Sequence, residues 1–255
     1  LNAAPLIEYA HNKRTSPDDS KVAVKLTANQ ALFKYDIKSS NISLESDCAK
    51  TCSLFKFSSP DIVLFKSPTV ITASAKNAGR ALKMLDAYEF MKDGSLAINA
   101  SAATPENYAG TVRINDFYII KGKVLTKILT LGSLTGIVDM LQGNGIYFKK
   151  LKGDFKKNGN VITLENFTMY GSAIGITAEG TIDLKTNQVK IKGSIIPSYT
   201  ANTLLGKIPL LGTIVGGDDG MFAFTYKLKG NLDDPEINVN PLSVLAPGFL
   251  KEIFQ

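Results

Sequence analysis

This sequence predicts a mainly β fold, one elongated antiparallel sheet, and three observations carry that prediction. Apolar residues recur with a period of two over long stretches, the mark of strands with one dry and one wet face. Turn-forming residues separate these stretches at short intervals, and consecutive strands joined by short turns run antiparallel. No Pro- or Ser-rich linker divides the 255 residues, so the sheet reads as continuous, with a few short amphipathic helices packed on it or capping it.

The elements follow in order. "NKRTSPDDS" (Asn12 to Ser20) is the most loop-like stretch, and "KVAVKLT", "ALFKYDIK", "NISLES" and "SLFKF" then read as strands. The last two flank "CAKTC". Cys48 and Cys52 have no His or further Cys beside them, which makes a poor zinc site, and a redox centre would more usually be Cys-x-x-Cys. Two readings stay open: a short-loop disulfide in an oxidising compartment, which is favoured, or two free thiols at a strand end. A tight turn can meet the Cα separation of about 5.5–6 Å that a disulfide needs.

"NAGRALKMLDAYEFMKDG" reads as a helix with Asn77 as N-cap, Gly94 just past its end, and Ala78, Ala81, Leu82, Leu85 and Tyr88 on one face. "SLAINAS" and "GTVRINDFYI" are strands again. "KVLTKILTLGSLTGIVDMLQG" is helix-like but broken by Gly132 and Gly136. In "KKNGNV", Asn158-Gly159 signals a type I′ hairpin, whose two central residues both need positive φ. The clearest alternation comes next. Ile174, Ile176, Ala178, Ile182 and Leu184 alternate with polar residues, as do Val189, Ile191 and Ile195, then Phe222, Phe224, Tyr226 and Leu228. "LKTNQV" and "NLDDPEI" supply turns, and "APGFLKEIFQ" reads as a terminal helix starting at Pro247, with Phe249, Leu250, Ile253 and Phe254 on one side.

One connection is unusually apolar. "TLLGKIPLLGTIVGGDDG" carries Leu204, Leu205, Ile208, Leu210, Leu211, Ile214 and Val215, yet Pro209 and Gly212 would break a helix. From Gly193 to Gly217 the one charge is Lys207, but Pro197, Pro209, Asn202 and the glycines argue against a spanning helix of about 20 residues. Any membrane anchor is therefore expected outside this chain, which starts at Leu1 and reads as a fragment of a longer protein.

The chemistry of an enzyme is missing. There is one histidine, His11, beside a loop. Asp218/Asp219 and Asp233/Asp234 are adjacent pairs in turns, where neighbours point to opposite faces and Asp serves local hydrogen bonding. No P-loop, Gly-x-Ser-x-Gly or His-Glu-x-x-His occurs, and "QGNGIYF" enters a strand rather than a phosphate-binding helix start. No metal or cofactor is expected. The net charge of +6 comes from lysines scattered through strands, read as a solvated sheet face rather than a nucleic-acid stripe.

Taken as a set, "GTIDL", "GSIIP", "LGKIPLLG", the aromatic strand ending in Gly and "DPEINVNPLSVLAPG" resemble the C-terminal region of the AsmA-like family, the YhdP- and TamB-type proteins of Gram-negative bacteria. "NAGRALKMLDAY", "GTVRINDFYI" and "GNGIYFKKLKGDF" resemble its preceding elements. The resemblance covers roughly Ile71 to Phe254, residues 70–255 forming the family-like core, while residues 1–69 match by strand style alone. It implies a single domain: a long curved sheet folded like a taco, in the periplasm, with an inner-membrane anchor helix that this chain lacks. It also implies a bridge along which phospholipids move toward the outer membrane, with no catalytic residues. On that implication Ile174, Ile176, Ile182, Val189, Ile191, Phe222, Phe224 and Tyr226 are the candidate contacts for acyl chains. The apolar connection lines or closes the groove near its end, or else caps the sheet's own core. An envelope scaffold binding a protein partner, and a lipid carrier with a closed pocket, are the other two classes.

Overall fold

The computed structural model describes residues 22–48, 52–104, 107–132, 134–197 and 222–244. The predicted loop Asn12 to Ser20, His11, Asp218 and Asp219, the apolar connection from Leu204 to Val215, and the terminal helix after Pro247 lie outside the described residues. The fold is mainly β. Among the described residues thirteen strands, all the assigned pairs antiparallel, follow one another in hydrogen-bonding order as they do in sequence. By contacts the chain forms two compact units, Leu1–Phe117 with Lys156–Gly159, and Tyr118–Phe155 with Asn160–Gln255.

The first unit holds β1 (Val22–Leu32), β2 (Lys38–Cys48), β3 (Cys52–Ser58), β4 (Val63–Lys66), β5 (Val70–Ala75), helix α1 (Ala78–Met84), β6 (Met91–Thr104) and most of β7 (Asn107–Ile119). Directly opposed residues share a face, and the register threads one apolar row across six strands: Leu26, Leu44, Phe57, Leu64, Ala73 and Ile98. The other face mixes charged and apolar residues: Glu45 lies opposite Lys56 and pairs with it at 3.2 Å, and Phe65 lies opposite Lys56 on its other side. The β2 and β3 backbones also set Cys48 opposite Cys52; their side chains lie outside the described residues.

Two predicted elements are corrected here. "ALFKYDIK" is not a strand. β1 stops at Leu32, and a 3-10 turn, Lys34–Asp36, intervenes with Tyr35 and Asp36 at φ of 60° and 56°. Phe33 and Ile37 are buried on either side of it, and the Phe33 amide donates to the Ile37 carbonyl at 2.9 Å. The predicted helix from Asn77 to Gly94 is seven residues long. Asn77 does cap it, its Oδ1 accepting from the Arg80 amide at 2.8 Å. The helix ends because Asp86 takes φ of 55°, held by Lys34 and Tyr35, and the chain joins β6 from Met91. Leu85 and Tyr88 are thus exposed, and Gly94 sits inside β6 with φ of 82°.

The second unit holds the end of β7, α2 (Lys123–Leu131), α3 (Thr135–Gln142), β8 (Ile146–Asn158), β9 (Val161–Tyr170), β10 (Ile174–Asp183), β11 (Gln188–Pro197), β12 (Phe222–Asn231) and β13 (Glu236–Val244). The helical stretch breaks at Gly132 as expected, whereas Gly136 lies within α3. The β8–β9 turn differs from the expected type I′: Gly159 has φ of 55°, but Asn158 remains strand and is not among the positive-φ residues. Glycine at the first central position suits a type II′ turn instead. Leu184, grouped with the apolar alternation, lies past the end of β10 and is exposed.

Candidate functional site

The second unit carries an apolar face whose phase is set by register. Ile182 lies opposite Val189, Ile191 opposite Leu228 and Ile195 opposite Phe224; Ile176 lies opposite Ile195 and Leu228 opposite Ile237. Ile174, Ile176, Ile182, Val189, Ile191, Phe224 and Tyr226 therefore share one face with these partners, because alternation fixes each strand's phase. Phe222 is in the same phase by backbone, and its side chain lies outside the described residues.

β9 joins this face by a device that plain alternation hides. Ile162 lies opposite Ile182 and Leu164 opposite Gly180, but Phe167 lies opposite Ala178 and Met169 opposite Ile176. The register shifts by one residue between these pairs, and Asn166 takes φ of 53° there. This β-bulge turns the strand so that even-numbered and then odd-numbered apolar residues reach the same face. Sequence reasoning missed β9 for this reason. The signal was present: "VITL" and "FTMY" alternate in opposite phase around "EN".

Across the middle of the face the ladder opens and is repaired by side chains. Thr177 and Ala178 make no ladder pair with β11. Instead the Tyr226 hydroxyl donates to the Thr177 carbonyl at 2.7 Å, and the Ser194 amide donates to Thr177 Oγ1 at 2.9 Å. Tyr226 is opposite Gly193 and reaches across it. A Cβ at Gly193 would stand 1.9 Å from the Thr177 oxygen and 2.7 Å from the Tyr226 hydroxyl, so no larger residue fits. Burial pushes the Tyr226 phenol well above its ordinary value, so it stays a neutral donor.

Exposure is uneven over the face. Ile174 and Ile195 are 0% and 1% exposed, and Phe224, Tyr226 and Leu228 are buried. Ile162, Leu164, Phe167, Met169, Ile182 and Ile191 are half-buried. Part of the cover comes from the helices: Gly132, which ends α2, approaches Phe224 closely enough that a Cβ would touch its ring, and Lys127 of α2 pairs with Asp234 at 2.6 Å. The hydrogen bond from Lys127, reinforced by its charge, holds the Asp234 carboxyl below its usual range. Among the described residues no group of three or more His, Cys, Asp or Glu side chains could hold a metal, and no helix is long and apolar enough to cross a membrane.

The face is apolar, and along β9 and at Ile182 and Ile191 it is half-buried. Comparison with known families gives it a context: the family model described as YhdP protein matches residues 19–237. The chain belongs to the YhdP family. The YhdP match takes in β1 to β4, which resembled the family in strand style alone, and ends within β13. YhdP membership points to a role related to lipid transport in the bacterial envelope. No curated protein and no solved structure matches.

Proposed function

We propose that this chain is a non-enzymatic lipid-binding and transfer module whose apolar face guides phospholipid acyl chains between the inner and outer membranes. It works in the periplasm as part of a longer, inner-membrane-anchored protein and supports outer-membrane integrity. The observation that carries this reading is the half-buried set on the apolar face. Ile191 stands between Gly180 and Leu228, so the residue directly opposite it on β10 brings no side chain. Each methylene moved from water onto such a surface is worth about 0.8 kcal/mol, so a chain spanning several strands offsets much of the lost bilayer contact. Headgroups stay in water.

A photo-crosslinker at Ile191 in the full-length protein in cells should capture phospholipid through its acyl chains, and one at Lys190 or Lys192, on the other face, should reach no acyl chain. Ile191→Asp should block lipid movement while the domain stays folded, since a carboxylate in the path adds a desolvation cost. Capture of a protein in place of lipid supports the scaffold reading, and one lipid in fixed stoichiometry the carrier. Unfolding by Ile191→Asp with no lipid capture at any position on the face makes it an ordinary core.

A further inference from the structure

The polar face of the same strands holds a feature unrelated to the acyl-chain reading. Register places Lys190 directly opposite Lys229 and Lys192 directly opposite Lys227. Each pair of Cα atoms is about 4.5–5.5 Å apart, and the two pairs are about 7 Å apart along the strands. All four side chains are exposed. Like charges directly opposed destabilise a sheet, and this chain uses the favourable alternative elsewhere, in the Glu45–Lys56 pair. Around the quartet, β10 contributes Glu179 and Thr181, and β13 contributes Glu236 and Asn238. Glu179 pairs with Lys192 at 2.7 Å. Lys190, Lys227 and Lys229 form no ion pair among the described residues, and Lys229 forms none even with Glu236 opposite it.

We propose that Lys190, Lys192, Lys227 and Lys229 form a binding site for a compact phosphate group, a phosphomonoester or diphosphate. Four flexible ammonium groups over so small a patch converge on one multiply charged anion and cancel their mutual repulsion. The flanking Glu179 and Glu236 set the size: they repel an extended polyanion such as a nucleic acid strand but leave room for one or two phosphates. The site opens away from the apolar face, so its ligand is not the headgroup of a lipid whose chains lie there. It approaches from solvent, either free or displayed on a bilayer.

The test titrates the protein at low ionic strength with inorganic pyrophosphate in a calorimeter, and floats it with phosphatidylcholine vesicles with and without phosphatidic acid. Binding of pyrophosphate alone identifies a free ligand; binding of phosphatidic acid vesicles alone identifies a lipid-borne one; either supports the site. Lys190→Gln with Lys229→Gln should weaken that binding about 25-fold, taking about fivefold per lysine lost near an anionic partner. Replacing the same two by Arg should preserve it. The double Gln variant should also melt higher without ligand, because a like-charge pair is gone. Absence of binding to both probes overturns the proposal. So does an equal loss from Lys25→Gln with Lys56→Gln, which would mean that net charge alone attracts the anion.

Discussion

At the scale of the residue, Thr177 shows how the apolar face is kept intact. Its carbonyl has lost its ladder partner and depends on Tyr226 from two strands away. Tyr226→Phe should therefore cost about 1–2 kcal/mol in urea unfolding, the price of an acceptor without a donor. Gly193→Ala should cost more, about 3 kcal/mol or beyond, since its methyl would strike backbone rather than a yielding side chain. An effect of Gly193→Ala below that of Tyr226→Phe would mean that the strands separate there easily. Acid sensitivity is also decided by single residues. Asp183 is held low by hydrogen bonds from Thr186, side chain first and then backbone, and by the Lys185 amide; Asp234 is held low by Lys127. With folded values below the unfolded ~3.9, these carboxylates stabilise the fold above that pH. The contribution disappears as pH falls through the lower folded values. Asp183→Asn should flatten the stability profile below pH ~4 and leave its shape near neutrality unchanged, as read by melting temperature against pH.

At the scale of the element, bulges matter as much as strands. Asn166 in β9 has a counterpart in β7, where Tyr108 and Ile114 are buried, then Phe117 and Ile119, with Asp116 at φ of 54° at the change of phase. Asn and Asp tolerate the left-handed region better than other residues with a side chain. Deleting Asn166 should drive Phe167 and Met169 to the polar face and lower stability by about 2–4 kcal/mol, measured by urea unfolding. Retained stability would mean that β9 is not held by its apolar side chains. The same feature explains what could be read from sequence. β10, β11 and β12 alternate without interruption, and their shared face was legible. β9 changes phase midway, so its apolar residues were passed over. The helix from Asn77 was legible at its cap but not at its end, because the contacts from Lys34 and Tyr35 that hold Asp86 come from distant sequence. Likewise "KIK" and "KLK" look like scattered lysines until register sets one beside the other.

At the scale of the whole molecule, every strand's neighbours in the sheet are its neighbours in the chain. Such local pairing is why fold class was legible from alternation and turns alone: no distant partner had to be guessed. A far-ultraviolet circular-dichroism spectrum should be dominated by β structure, with α1, α2 and α3 contributing 7, 9 and 8 helical residues. A helix-dominated spectrum would contradict the fold. The β2–β3 backbone register also argues for a Cys48–Cys52 bond, since directly opposed strand residues lie within disulfide reach. Thiol titration of denatured, unreduced protein from an oxidising compartment should find neither thiol; two titratable thiols would exclude the bond.

The sequential order has a further consequence, for how such a protein can change its span. In a fold with crossovers, inserting a strand pair obliges others to find new partners. Here a duplicated or lost hairpin would leave every remaining pairing as it was, provided that the new strands keep the dry and wet phases of their neighbours. Each hairpin would alter the extent of the ladder by about 9.5 Å, two inter-strand spacings. Distance could thus be adjusted by gene duplication in fixed increments, like links added to a chain, with no redesign of the parts already in place.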